Sequence, residues 1–447
     1  MNKRLFLAAL FTLTLTLPSF AADRPSAQLI HTITTNQFAY NRLAALCDTF
    51  GPRFSGSTNL ENALDWILAE MKRDGLENVH AEDVQVPHWV RGEESAELIE
   101  PRPRPLPMLG LGGSIATPPE GITAEVLVVK SLADIQAHAA EARGKIILIN
   151  EPFKTYDETV RIRRLGAIEA AKVGAVASLI RSVTPVSQQT PHTGNMRYTN
   201  GVPKIPHAAL TVEDAEMLQR FQDRGQKIVI KLKMNAATLP DAPSRNVMAE
   251  IRGREHPEEI VIVSGHIDSW DVGQGAMDDG GGAIAAWEAV RTMKNLGLHP
   301  RRTVRIILWV NEENGGAGAK NYEQRHKSEL PKTILAIESD QGAFWPTALQ
   351  FTGKPAAMTA VKHIARLLKP IAPIEITGGA DEADVSELVP DGVPIMDLVV
   401  DGTKYFWYHH TQADTVDKLS AKDVNACTAT LAVMAYEVAD AKAPLPR

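Results

Sequence analysis

Several short stretches of this sequence carry side chains able to hold metal ions and move protons. The most distinctive is His266-Ile267-Asp268-Ser269, followed after a glycine-rich turn by Asp278-Asp279-Gly280-Gly281-Gly282. Neutral imidazole and ionised carboxylate both suit zinc, and a second carboxylate nearby can fix the imidazole tautomer. His266 and Asp278 are therefore candidate ligands, and Asp268 is a candidate orienting partner. Taken alone, a His-x-Asp at a strand end reads more simply as a hydrogen-bonded structural histidine. The adjacent pair Glu312-Glu313 shifts that balance, because two carboxylates at the mouth of a buried strand repel each other and lose hydration, so something positive belongs beside them. If Glu313 binds metal, Glu312 lies next to the metal-bound water and can act as general base. Asp340 ends the following apolar run, and His409-His410 lie in an aromatic loop, Tyr405-Phe406-Trp407-Tyr408. Together these supply nitrogen from two histidines and three metal-binding carboxylates, enough for two zinc ions sharing one bridging carboxylate and one bridging hydroxide.

The elements that must position these groups are legible around them. Ile260 to Val263, Val304 to Val310 and Ile334 to Ile337 are continuous apolar runs, and helical patterns alternate with them. Such runs predict a central, mostly parallel sheet buried on both faces by helices, an α/β fold, with ligands binding beyond the carboxyl ends of its strands. His266, Glu312-Glu313 and Asp340 all fall at that end. Nearer the amino terminus, Leu60, Leu64, Ile67, Leu68 and Met71 recur at helical spacing, with Gly75 as a stop.

With 447 residues the chain is long enough for two or three domains, and a net charge of -7 offers no basic face for nucleic acid or anionic membrane. Lys3, Arg4, the apolar stretch Leu5 to Leu17 and Ser19-Phe20-Ala21 read as a signal peptide, residues 1–21, which predicts a periplasmic or secreted enzyme. Two proline-rich runs, Pro101 to Pro107 and Leu239 to Pro243, read as linkers. They divide the mature chain into a main domain, 22–103 and 241–447, and an inserted α/β module, 104–240. The module contains β-like runs at Ala124 to Val129, Lys145 to Ile149, Ala175 to Ile180 and Lys227 to Leu232, and no cluster of metal-binding or nucleophilic residues. Cys47 and Cys427, both in apolar surroundings, are expected as two buried free thiols, with a disulfide as the lesser alternative. Asp381-Glu382-Ala383-Asp384 spells a helicase motif, but without a phosphate-binding loop the match is accidental, and without a Gly-x-Ser-x-Gly elbow the serine hydrolase reading weakens.

In combination, His-x-Asp, Asp-Asp, Glu-Glu, Glu-Ser-Asp and His-His-Thr resemble the co-catalytic zinc aminopeptidases of peptidase family M28. The resemblance implies two zinc ions per chain, with Asp278 bridging them, His266 and Asp340 completing one site, and Glu313 and His410 completing the other. It makes Glu312 the general base and Asp268 the partner of His266, and it leaves His409 outside the metal shell. It further implies that the insert is a protease-associated (PA) domain, that the Asp278–Asp279 peptide is cis, that Tyr405 or Tyr408 donates to the oxyanion, and that the loop holding Asp384 borders the site. The implied activity is hydrolysis of dipeptides or short peptides from a free amino terminus, through a metal-bridging hydroxide. An inactive receptor-like ectodomain of the same fold and a true carboxypeptidase are the alternatives. Short peptides are the expected partners, with homodimer formation left open.

Overall fold

Each of the apolar runs that end in a candidate site residue is a strand in the computed structural model, which describes residues 24–447. The expected signal peptide, residues 1–21, lies outside the described residues. Among the described residues no helix is long and apolar enough to cross a membrane.

The main sheet has eight strands, numbered here in chain order: β1 Glu77–Val90, β2 Ala237–Ile251, β3 His256–His266, β4 Arg302–Trp309, β5 Thr333–Glu338, β6 Pro346–Thr352, β7 Glu375–Gly378 and β8 Ile395–Val400. Their spatial order is β1-β2-β4-β3-β5-β8-β6-β7. The four central strands, β4, β3, β5 and β8, are parallel. Antiparallel pairing adds β2 and then β1 on one side and β6 on the other, with β7 parallel to β6. The sheet is thus parallel at its centre, where the site residues are, and mixed at its flanks.

Alternate residues of the central strands enter different cores. Val261 and Val263 of β3 and Val304, Ile306 and Leu308 of β4 pack with Trp287 and Val290 of the helix Gly281–Asn295 and with Leu431 and Met434 of the helix Ala421–Asp440. Ile260 and Ile262, together with Ile307 and Trp309, meet Tyr322, Leu330, Val385 and Leu388 on the opposite face. Burial on both faces is why these strands read as unbroken apolar runs. The helix anticipated around Leu60 spans Thr58–Arg73, capped by Ser57, whose hydroxyl accepts the Leu60 N–H at 3.2 Å.

A second eight-stranded sheet is built from chain between β1 and β2, from Glu94 to Met234, with helices including Arg161–Lys172 and Val212–Asp223. Its limits differ from those the prolines suggested. The strand Glu94–Glu100 precedes the first proline run and belongs to the second sheet, where it pairs with Arg104–Leu106 and with Val229–Met234. Pro105 is tolerated because Arg104–Leu106 is an edge strand. The second proline run lies inside β2, not in a linker. Its residues pair with β1 across an irregular register, whereas β4 contacts β2 only over Val247–Ile251, so Pro240 and Pro243 sit where one edge of the strand is free. Cys47 and Cys427 are both buried and unpaired, and burial pushes the Cys47 thiol up to about 12.

Candidate active site

The carboxyl ends of β3, β4 and β5 bring the candidate residues together. His266 closes β3, Glu312 and Glu313 follow β4 after Asn311, and Asp340 lies two residues beyond β5. Asp278 comes from the tight turn Ala276–Gly280 leading into the helix Gly281–Asn295, and the peptide joining it to Asp279 is cis. His410 follows the short helix Tyr405–Tyr408.

Asp278 is the hub. Its Oδ1 lies 3.3 Å from His266 Nε2 and its Oδ2 lies 3.2 Å from His410 Nε2. On the first side Asp340 Oδ1 is 3.0 Å from His266 Nε2, and on the second Glu313 Oε2 is 3.1 Å from His410 Nε2. His409 stacks on His410 with ring centroids 3.5 Å apart, but its Nε2 is farther from Asp278 Oδ2, at 3.7 Å. His266 Nε2, Asp278 Oδ2 and Asp340 Oδ1 are buried without a hydrogen-bond partner. Such orphaned atoms are expensive unless they face a cation. Imidazole and carboxylate atoms close enough to share an ion form three overlapping groups, Asp278 with His409 and His410, His266 with Asp278 and Glu313, and His266 with Asp279 and Asp340, a donor set that fits zinc.

The charges point the same way. Burial, joined by the Asp278 carboxylate, holds Glu313 well above the usual carboxylate range, and burial does the same to Asp340. Burial would raise Asp278 as well, but the His266 and His410 rings beside it outweigh that burial and hold its carboxyl well below the range. Burial would lower His266, yet Asp340, Asp268 and Asp278 hold it well above the ordinary value.

Neighbouring groups fix the orientations. The carbonyl of Asp268 can only accept, so His266 Nδ1, 2.9 Å away, carries the proton and Nε2 faces the site. The Asp268 carboxylate accepts the Glu312 N–H at 3.2 Å and the Ser55 hydroxyl at 3.4 Å, tying the ends of β3 and β4 to the amino-terminal segment. Glu313 Oε1 accepts the Trp270 N–H at 3.2 Å. Tyr405 lines the same cavity of about 650 Å³ as Glu312, Asp278 and Asp340, while Tyr408 does not.

Three further groups shape the site in ways that the motifs do not specify. Asp414 accepts the N–H groups of Ala276, Met277 and Asp278 at 3.1, 2.7 and 3.2 Å and so shapes the turn that presents Asp278; burial pushes its carboxyl up to about 7. Asp279, second of the Asp-Asp pair, accepts from the His266 and Gly282 backbones at 3.1 and 3.0 Å, joining strand end to helix start. The second-sheet module clamps His410, which sits at a left-handed φ of 59°. Thr193 N–H donates to the His410 carbonyl at 3.0 Å, and the Thr193 carbonyl lies 3.4 Å from His410 Nδ1.

Close approach at Gly282 makes one result predictable. A Cβ there would stand 1.9 Å from the Ser339 carbonyl oxygen and 2.4 Å from Asp279 Oδ1. Gly282→Ala is expected to push the helix off the end of β5, lowering stability by about 1–3 kcal/mol and displacing Asp279. Denaturant unfolding checks this; an unchanged midpoint would show that the contact relaxes freely.

This fold and this histidine–carboxylate centre define a class of metal-dependent peptidases, and sequence comparison agrees. The family model for peptidase family M28 matches residues 246–435. Carboxypeptidase Q of Xenopus laevis is 54% identical over 409 residues, covering 92% of this chain and 87% of the relative. The chain belongs to peptidase family M28. Among solved structures, a peptidase M28 precursor from Shewanella amazonensis superposes with a TM-score of 0.91 at 35% identity, covering 94% of this chain and 97% of that one. A zinc aminopeptidase from Bacillus subtilis shares the fold, with a TM-score of 0.70 at 22% identity over 91% of this chain and 96% of its own.

Proposed function

We propose that the chain is a two-zinc exopeptidase that removes the amino-terminal residue from dipeptides and short peptides. The observation that carries this reading is the division of labour on Asp278: Oδ1 turns to His266, which Asp340 also approaches, and Oδ2 turns to His410, which Glu313 also approaches. His266, Asp340 and one oxygen of Asp278 would hold one ion; His410, Glu313 and the other oxygen would hold the second. Zinc held there supplies Lewis acidity that polarises a peptide carbonyl and makes water a competent nucleophile near neutral pH.

The remaining work falls to the chain's own side chains. Glu312 takes a proton from the attacking water and returns it to the leaving amine as the C–N bond breaks. Asp268 serves through its two contacts, orienting His266 by its carbonyl and holding the Glu312 backbone by its carboxylate. The Tyr405 phenol lines the cavity where an oxyanion would develop and can donate to it. The complete ligand set disfavours an inactive ectodomain. The name carboxypeptidase Q carried by the relatives raises cleavage at the opposite end, which hydrolysis of free, amino-acetylated and carboxyl-amidated dipeptides distinguishes.

Metal analysis tests the centre directly. The loaded protein is expected to carry two zinc ions per chain, with Asp278→Asn weakening the retention of both because both would share that carboxylate. A single tightly bound ion in a fully active protein would remove the two-metal reading.

A further inference from the structure

The chain crosses from β1 into the second-sheet module at Arg91, the residue after Val90. The Arg91 side chain is only 10% exposed, and every nitrogen of its fork is engaged. Nε and Nη2 donate to the two carboxylate oxygens of Asp271 at 2.8 and 2.5 Å. Nη2 also donates to the Thr193 hydroxyl at 3.2 Å, and Nη1 donates to the Gly110 carbonyl, with Glu94 Oε1 3.4 Å away. The Thr193 hydroxyl donates to that same Gly110 carbonyl at 2.8 Å. One guanidinium therefore joins a main-domain loop, through Asp271, to two segments of the module.

Both arms lead on to metal-binding side chains. Asp271 follows Trp270, whose N–H donates to Glu313 Oε1 at 3.2 Å. Thr193 grips His410 with its backbone, by an N–H donated to the His410 carbonyl at 3.0 Å and a carbonyl 3.4 Å from Nδ1. The module also lies directly on the Trp270 indole. A Cβ at Gly112 would stand 2.1 Å from Cη2 of that ring, whose centroid is 5.5 Å from the His410 ring. The His266 side of the centre is fixed by other means. Between His266 and Trp270, Arg53 donates from Nε to the Ile267 carbonyl at 2.8 Å and from its backbone N–H to the Ser269 hydroxyl at 2.9 Å. His266 itself is held by Asp268 and Asp279.

We propose that Arg91 is a positioning residue that latches the module to the main domain and so holds Glu313 and His410 in register for one ion, leaving the His266–Asp340 side independent of it. The proposal rests on the two-metal reading of the site. Glu313 belongs to the main sheet, whereas His410 hangs from the module's Thr193, so their separation of 3.1 Å between Oε2 and Nε2 depends on how the two bodies dock. Partners that orient metal ligands typically contribute about 10- to 100-fold in metal affinity. Only a planar guanidinium can meet both oxygens of Asp271 while reaching Thr193 and Gly110; an ammonium is a point donor on a flexible stem.

The test is a zinc titration of the metal-free protein in competition with a chromogenic chelator. Deleting Arg91 alone would strand the Asp271 charge, so the variant used is Arg91→Gln/Asp271→Asn, which removes the charge pair together. The parent is expected to bind two ions, and the variant to bind one of them about 10- to 100-fold more weakly with the other unchanged. Thr193→Val, which removes only the hydroxyl, should weaken the same ion less. In a His410→Ala background, where that ion is already lost, the latch variant should cause no further change. Equal weakening of both ions overturns the proposal, since a general loss of structure would do the same, and so does unchanged binding of both. A parent that binds a single ion refutes the two-metal reading, and hydrogen exchange of the metal-free proteins then decides on the latch. There the Trp270 and Thr193 amides, which donate to Glu313 and His410, are expected to exchange faster in the variant while the His266 and Glu312 amides keep their rates. Unchanged exchange at Trp270 and Thr193 overturns it.

Discussion

Glu312→Gln is expected to keep its zinc and to lose about 10²- to 10⁴-fold in kcat, the range that a positioned general base contributes. The exchange is nearly isosteric, and the bond by which this residue anchors to Asp268 uses its backbone N–H, which the substitution spares. The carboxylate lines the cavity but is not among the groups packed around the nitrogens of His266 and His410. Burial, with Asp268 and Asp278 adding to it, raises the Glu312 carboxyl above its ordinary range, an environment suited to accepting and releasing a proton. Zinc stoichiometry and single-substrate kinetics on the same preparation separate loss of the base from loss of the metal. Near-parent turnover with intact zinc would move the base to another residue.

Acetylating the amino terminus of a dipeptide is expected to lower kcat/KM by about 10⁴-fold or more, the discrimination typical of a site built to bond a polar group that the analogue lacks. A free amine can coordinate zinc or pair with an acidic side chain lining the cavity, where Glu382 accepts the Gln341 side-chain amide at 2.7 Å and burial, with Asp397 adding to it, pushes its carboxyl up to about 7. An acetylated nitrogen offers neither charge nor lone pair. Side-chain changes at the same residue should matter far less, about 10- to 200-fold per methylene. Competition between free and acetylated dipeptide at equal concentration gives the ratio. Tolerance of the acetyl group combined with rejection of the carboxyl amide would make the enzyme a carboxypeptidase.

The site was legible in the sequence to the extent that its members are of metal-binding type and end apolar strands. His266, Glu312, Glu313 and Asp340 each follow a run whose burial on both faces is written in its composition, and the fold gathers them because parallel strands end on the same side of the sheet. Asp414 was not legible, because its partners are three backbone N–H groups of a turn more than a hundred residues away in the chain. The same holds for Thr193, which acts on His410 through its own backbone. Residues that work on main-chain groups leave no pattern of residue types to read. The proline runs misplaced the module's borders for a related reason. Whether a proline breaks a strand depends on which edge of that strand lacks a neighbour, and in β2 that is settled by how far β4 extends alongside it.

The way the second module joins the main sheet has a consequence for how the chain assembles. Trp89 pairs with Thr238 and Val90 with Ala237, so the chain leaves the main sheet and returns to it at facing residues of one antiparallel ladder. Closing an unstructured loop of such length would carry an entropy penalty that grows with the logarithm of the number of residues enclosed. Here the enclosed residues have their own sheet and two apolar cores, and once folded they hold their ends at strand spacing. To the rest of the polymer, residues 91–236 then act as a hairpin turn. Contacts between β1 and β2, distant along the chain, become effectively local once the module has formed, and the order of folding events that favours rapid assembly is module first, ladder second, with the β1–β2 ladder zipping from Val90 and Ala237 outward.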